Sequence, residues 1–435
     1  MDPLGITALF FGSMLLALFA GVPIAIALGG TSAILVYFFW SERALTMLVI
    51  RAFGNTSGFE FVAIPLFILM ANVLQRSQIA EDMYETMHRL FGQLKGGLAI
   101  GTIVVCTVFA AMAGISGAAT IAMGIIAVPA MLARHYPKSL AVGSVAAGGS
   151  LGILIPPSVT MIVYGLVAQV SVGQLYAAGL LPGLLLAGLF VLYIALRSWL
   201  QPGFVPTPAE RPFTAKEKLV SLKGVFWPVV LVIAVLGSIL TGLTSVSEAA
   251  AVGAFGSIVA AISKRGLDWR MLQEAAQSTL LLSCVIFWII IGAGAFSTLY
   301  TAMGAAAWIN AAVLGLDVSP YAILLVMMLI LVLLGMVLDT VGIIMITVPV
   351  FAPLVVQLGF DPIWFAILFI INMEIGFITP PFGYNLFYLR GVVPPEVSLW
   401  DIYKSIVPFV LIMFVGLGLC IAFPQIVLYL PSLLF

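Results

Sequence analysis

The sequence predicts an all-α integral membrane protein built as an inverted-topology repeat, with about ten full spans plus two re-entrant helical hairpins. Composition, the placement of positive charge and a doubled Pro-Pro motif carry that prediction. Of 435 residues, 63% are hydrophobic and 8% charged, against roughly 45–50% and 25% in soluble domains. At roughly 20 apolar residues per span, the length accommodates about ten to twelve crossings of a lipid bilayer. A formal net charge of zero, with no basic tract, argues against a nucleic-acid partner.

Apolar runs bounded by turn residues or charges place spans at 5–20, 23–40, 59–75, 174–196, 224–241, 245–263, 274–295 and 405–430. Regions 138–169 and 362–393 each carry adjacent prolines near the middle. Proline removes an amide donor and clashes with the preceding turn, so each of these reads as one broken crossing. Regions 98–133 and 320–357 read as pairs of spans or as re-entrant hairpins. With single broken crossings and returning hairpins, Arg76, Arg89, Lys95, Arg134, Lys138, Arg197, Arg211, Lys216, Lys218, Lys223, Lys264, Arg265, Arg270, Arg390 and Lys404 share one side. Only Arg43 and Arg51 fall opposite. The cationic side is the cytoplasm, which puts both termini outside. The first run, "MDPLGITALFFG", lacks the basic n-region of a cleaved signal and reads as a retained span. Residues 200–223 form a Pro-rich polar linker between halves, and 77–97 mix charges and apolar residues as an interfacial helix does. Cys106, Cys284 and Cys420 lie far apart in apolar runs and read as buried apolar side chains.

A shift of 224 residues lays Gly29 on Gly253, Gly152 on Gly376, Pro156-Pro157 on Pro380-Pro381 and Tyr164 on Tyr388. Pro137 meets Pro362, and the Val-Pro pair at 128–129 meets that at 348–349, after small insertions. Each half then has five crossings and one hairpin. Five is odd, so the second copy enters the membrane inverted. Such repeats are common in secondary transporters, where broken helices meet near the midplane and form the binding site.

A broken helix in hydrocarbon leaves carbonyls without partners, each costing several kcal/mol unless it lines a cavity or meets a ligand. Sodium, a hard cation, suits such oxygens. The first break offers the carbonyls of Gly149, Gly152 and Ile155 with the Ser158 and Thr160 hydroxyls. The second offers Gly376, Thr379 and Pro381, with Asn385 nearby. The competing reading is a proline kink satisfied by neighbouring helices. The first hairpin turns at Gly114-Ile115-Ser116-Gly117 without a charge, as a tip buried at mid-membrane does. Ser116 is there either an ion ligand or part of a small-residue helix contact. Asp339, in the second turn, balances a cation or caps the following helix. Glu248 reads as a helix N-terminal acid; Glu374 is a coupling site or meets a polar partner. His88 and His135 sit in no catalytic motif, and no phosphate-cradling loop occurs. The chain therefore reads as no enzyme, and an ion gradient is the expected energy source.

Six segments in order, "IPLFILMANVL" (64–74), "AGISGAATIAMG" (113–124), "GGSLGILIPPSVTMIVYG" (148–165), "LTSVSEAAAVG" (243–253), "LGMVLDTVGIIMITVP" (334–349) and "IGFITPPFGYNLF" (375–387), resemble the large membrane subunit of tripartite ATP-independent periplasmic (TRAP) transporters. The resemblance implies sodium-driven uptake of small organic acids, such as C4-dicarboxylates or sialic acid, at the bacterial inner membrane. It implies two partners, a periplasmic substrate-binding protein and a small four-helix membrane subunit, here expected as a separate chain. It also implies the elevator architecture of the ion-transporter superfamily. On this sequence the moving parts become 98–169 and 320–393. Scaffold and arm segments become 1–97, 170–199, 224–319 and 394–435, with 200–223 the cytoplasmic linker. The resemblance places sodium near Ser116, Gly149, Gly152 and Pro157, and near Gly335, Gly376, Thr379 and Pro381. Gly114, Gly117, Ser158, Asp339 and Asn385 are further transport-site candidates. The alternative is a stand-alone ion-coupled carboxylate transporter or ion antiporter of similar fold. No buried Arg or Lys in the hairpin or Pro-Pro segments marks a carboxylate clamp, which leaves backbone amides and helix N-termini to hold an anionic substrate.

Overall fold

The computed structural model describes residues 3–39, 45–206, 213–264 and 268–435. Arg43, Arg211, Arg265 and the side chain of Arg51 lie outside the described residues. All regular structure among them is helical, and eight of these helices are long and apolar enough to cross a membrane. The protein is a multi-pass, all-α membrane protein.

The first half runs Pro3–Phe19, Ile24–Phe39, Leu45–Thr56, Ala63–Arg76, Ile79–Phe91, a hairpin (Gly97–Ala113 and Ser116–Ala133), a broken span (Lys138–Ser150 and Val159–Ala168) and Val172–Leu200. The second half repeats the order. It begins with a helix entered at Phe226–Val232 and ended at Ser238–Leu240, then Val246–Ser263, Trp269–Ala302 and Ala305–Leu314. A hairpin (Pro320–Gly335 and Thr340–Gln357), a broken span (Pro362–Phe377 and Tyr384–Arg390) and Leu399–Ala422 complete it. Displaced by 224, Ser116–Ala133 overlies Thr340–Gln357 end to end, and Lys138 falls on Pro362.

Local chemistry sets the helix starts. Ser171, Ser319 and Ser398 accept from the first-turn amides of the helices they precede, and Ser245 forms a capping box with Glu248. Such caps satisfy amides that a helix leaves without partners. Glu248 is thus the N-terminal acid its position suggests. Three bounds differ from those read in the sequence. Thr214 and Glu217 make another capping box, so helix resumes at Ala215 inside the expected linker. The expected last span ends at Ala422, because Phe423, which precedes Pro424, leaves the helical conformation (φ −127°, ψ 78°). The expected span 274–295 extends over Trp269–Ala302, its start set by Asp268, whose side chain accepts from the Met271 amide.

The halves interlock. Ile24–Phe39 packs on Trp269–Ala302, and Val246–Ser263 packs in the corresponding way on Ala63–Arg76. At the first crossing a β-carbon on Gly292 would lie 2.2 Å from the Ala25 carbonyl, so only glycine lets the helices approach this closely. At one end of the molecule Lys264 Nζ lies 2.5 Å from Asp82, and the Thr86 hydroxyl donates to the Ser221 carbonyl (2.7 Å). Lys138 pairs with Asp401 at 3.3 Å.

Candidate functional site

Each hairpin turns where the chain can reverse. Gly114 adopts φ +67°, a conformation that favours glycine, and Ile115 is extended before Ser116 starts the second arm. The second hairpin ends its turn at Asp339, whose Oδ2 accepts from the amides of Val341 (3.0 Å) and Gly342 (3.1 Å). Asp339 is therefore a helix cap. Its Oδ1 is buried without a partner.

Both tips dock onto the breaks. The Val159 amide donates to the Gly114 carbonyl (3.1 Å), and the Phe382 amide donates to the Met336 carbonyl (3.3 Å). Because the tips meet the broken spans near their middles, the hairpins reach into the molecule without passing through it. Glycines bring the backbones together. A β-carbon on Gly114 would stand 2.6 Å from the Pro157 carbonyl, and one on Gly152 would stand 3.0 Å from the Ile115 carbonyl. One on Gly149 would stand 2.0 Å from Thr120 Oγ1, and one on Gly376 would stand 2.6 Å from Gly335 Cα. Ser116, Gly149, Gly152 and Pro157 thus gather at one tip, and Gly335 and Gly376 touch at the other.

The remaining candidates have defined partners. The Ser158 hydroxyl donates to the Ile153 carbonyl (2.5 Å) and accepts from the Met161 amide (3.3 Å). The Thr379 hydroxyl donates to the Ile375 carbonyl (2.6 Å), and the Pro381 carbonyl accepts from Tyr403 (2.9 Å). Asn385 is fully buried; it accepts from Thr120 (2.7 Å) and donates to the Ala146 carbonyl (3.0 Å). It pins the helix after the second break onto the first half. Gly117 lies against the ring of Tyr388, where a β-carbon would be 3.1 Å away. Glu374 and Ser150, 224 positions apart, face each other with the Ser150 hydroxyl 3.0 Å from Glu374 Oε1. Glu374 Oε2 is buried without a partner.

Between these elements lies a cavity of about 380 Å³. One wall is built from both tips and both breaks, including Ser116, Asp339, Thr160 and Tyr384. The opposite wall comes from Asn72 and Gln75 of Ala63–Arg76 and from Leu282, Ile286 and Ile289 of Trp269–Ala302. Asn72 is held from behind: its amide donates to Thr279 (3.1 Å), and Arg76 donates to its Oδ1 (2.9 Å) and to Ser278 (2.8 Å). Sequence reasoning did not select Asn72, Gln75 or Tyr384, used Tyr388 only as a landmark of the repeat, and weighed Glu374 without its partner Ser150. A lone Asn inside "FILMANVL" was a usable signal, since polar residues in spans are expensive. So was the shift of 224, which superposes Ser150 on Glu374.

Residues 11–426 match the family model of the tripartite ATP-independent periplasmic transporter, DctM component. The C4-dicarboxylate TRAP transporter large permease protein of Pseudomonas aeruginosa is 34% identical over 410 residues, 93% of each chain. Its counterpart in Vibrio cholerae is 33% identical, over 98% of each. An ectoine/5-hydroxyectoine TRAP large permease of Ruegeria pomeroyi is 31% identical, over 98% of this chain and 99% of its own. Among solved structures, the Alcanivorax borkumensis YdaH transporter has the same fold, with a TM-score of 0.65 over 95% of this chain and 99% of its own at 16% identity. The chain belongs to the DctM-type large membrane subunits of the tripartite ATP-independent periplasmic transporters.

Proposed function

We propose that this large subunit imports a small organic acid across the bacterial inner membrane, driven by a sodium gradient. The substrate occupies the cavity between the hairpin tips and the scaffold helices. Hairpins and broken spans, 98–169 and 320–393, move as one block against the rest and carry the site from one face to the other. A periplasmic binding protein delivers the substrate, a small four-helix membrane subunit completes the scaffold, and both termini face the periplasm. Sodium travels with the substrate, near Ser116, Gly149, Gly152 and Pro157 and near Gly335, Gly376, Thr379 and Pro381. The cavity carries this reading, because one of its walls consists of tips and breaks and the other of long helices outside them. The organic acids named for the relatives supply the substrate class.

Thermal unfolding of the purified protein in sodium against matched potassium tests the coupling. A site held at 100-fold its Kd adds about 2.7 kcal/mol. The expected result is a sodium-specific rise in Tm that Ser116→Ala and Thr379→Ala each reduce. An equal Tm in both salts overturns sodium coupling. Uptake into proteoliposomes with and without the binding protein separates the tripartite reading from a stand-alone carrier.

A further inference from the structure

Away from the hairpin tips, the chain enters its second half along a crevice. Helix Ala215–Ser221 leads into the span that begins at Phe226. Between them the backbone is pressed onto Ile79–Phe91: a β-carbon on Gly224 would lie 2.5 Å from Thr86 Oγ1 and 2.7 Å from the Asp82 carbonyl. Beside this fixed point, between the connector and the end of Val246–Ser263, a cavity of about 880 Å³ opens. It shares no lining residue with the cavity at the tips.

The walls combine two chemistries. Lys223 and Lys264 supply positive charge, and no carboxylate lines the cavity. Lys264 is also held by Asp82 (2.5 Å), but Lys223 makes no ion pair or side-chain hydrogen bond among the described residues. Apart from Ser263 the remaining lining is apolar or aromatic, and it includes Trp227, a residue type that favours the membrane–water boundary. Phe226, Val229 and Ile233, three and seven residues apart on one helix face, are all exposed. An apolar strip thus leads away from the lysines along the span.

A water-soluble anion would gain nothing from the apolar walls. A neutral lipid would leave Lys223 without a counter-ion. An anionic phospholipid meets both demands, because its phosphate accepts from ammonium groups and its chains cover apolar surface. Basic pockets between spans on the cytoplasmic side suit such headgroups, and positive charge gathers on that side. We propose that this cavity holds an anionic phospholipid of the cytoplasmic leaflet, with its phosphate between Lys223 and Lys264 and its acyl chains along Phe226, Val229 and Ile233. The lipid then bridges the connector between the halves and the end of Val246–Ser263.

The test titrates lipid into the purified full-length protein in detergent and reads Tm, each variant against its own lipid-free value. Dioleoylphosphatidylglycerol supplies an anionic headgroup, dioleoylphosphatidylcholine the same chains without net charge, and inorganic phosphate the anion alone. The expected result is a rise in Tm with phosphatidylglycerol, at an apparent affinity at least about tenfold tighter than for phosphatidylcholine, and no rise with phosphate. Lys223→Gln should bring the phosphatidylglycerol affinity down to that of phosphatidylcholine. Lys404→Gln, which removes a cation outside the cavity, should leave it unchanged. Val230→Trp fills the cavity without touching its charge and should abolish the response independently. Equal affinities for the two lipids, or a phosphatidylglycerol response that survives Lys223→Gln or Val230→Trp, overturns the proposal. A matching response to phosphate makes the site one for a soluble anion and overturns the lipid. A loss in Lys404→Gln as large as in Lys223→Gln means that surface charge alone attracts the lipid, which overturns the site. A response that disappears in the complex with the small membrane subunit gives the cavity to that subunit and overturns the lipid as its occupant.

Discussion

At the first Pro-Pro break the chain closes on itself. Ser158 donates to the Ile153 carbonyl and caps the helix that follows, and Leu151 through Val159 are all buried. At the second break, 224 residues on, the position of Ser158 is held by Phe382, 51% exposed, and the following helix starts at Gly383 with no side-chain cap. The repeat conserves where the backbone breaks and changes what completes it. The first break carries its own helix cap in Ser158, and Tyr176 of the next long helix bonds the Ser158 carbonyl. The second has a tyrosine contact as well, Tyr403 to the Pro381 carbonyl, but no side-chain cap, and its Thr379 hydroxyl turns back on the Ile375 carbonyl.

The tightest point of the comparison is the pair of equivalent glycines. Gly376→Ala would drive a β-carbon to 2.6 Å from Gly335 Cα and 2.7 Å from its carbonyl carbon, whereas Gly152→Ala meets the Ile115 backbone at 3.0 Å. Overpacking typically costs about 1–3 kcal/mol. Gly376→Ala should therefore lose about 3 kcal/mol, and Gly152→Ala about 1 kcal/mol. Thermal unfolding of both variants in detergent checks the order, and equal losses would show that the second tip yields as readily as the first.

Ser150 and Glu374 test the interface between halves. Ser150→Ala removes the group 3.0 Å from Glu374 Oε1 and leaves both carboxyl oxygens buried without partners. An unsatisfied buried polar group costs about 1–3 kcal/mol, so a loss of about 2 kcal/mol is expected. Glu374→Gln keeps an oxygen facing Ser150 and should change Tm by less than half as much. A Ser150→Ala variant as stable as the parent would mean that the pair does not tie the halves together.

The same contrast explains what was legible in the sequence. Glycine and proline act locally, so the breaks at 156–157 and 380–381, the turn at Gly114 and the offset of 224 could all be read from residue type and spacing. Asp339 was legible as a helix cap for the same reason. The scaffold wall was not. Leu282 and Ile286 are ordinary apolar residues of a long helix, and only packing against Asn72 and the hairpin tips makes them part of a cavity. Nor was the joining of Thr120 to Asn385, 265 residues apart, because hydroxyl and amide partners across an interface leave no periodic trace. The arm bounds slipped where one half departs from the other. Gly58 is extended and interrupts the first arm between Leu45–Thr56 and Ala63–Arg76, while Trp269–Ala302 runs on without a break.

The smallest expected effects come from the tyrosines that reach each break from the next long helix. Tyr176 donates to the Ser158 carbonyl at 3.3 Å in a fully buried setting. Tyr403 donates to the Pro381 carbonyl at 2.9 Å in an exposed one. Geometry alone would favour the shorter bond as the stronger. Burial reverses the order, because the Pro381 carbonyl can exchange its lost partner for water or a lipid headgroup, and the Ser158 carbonyl has no such substitute. Net hydrogen-bond contributions of about 0.5–1.5 kcal/mol then predict that Tyr176→Phe loses about 1 kcal/mol and Tyr403→Phe less than half of that. Paired melts of the two variants decide between distance and burial. A larger loss in Tyr403→Phe would mean that the second break is drier than its surface suggests, and that its exposed face is covered by another chain in the purified assembly.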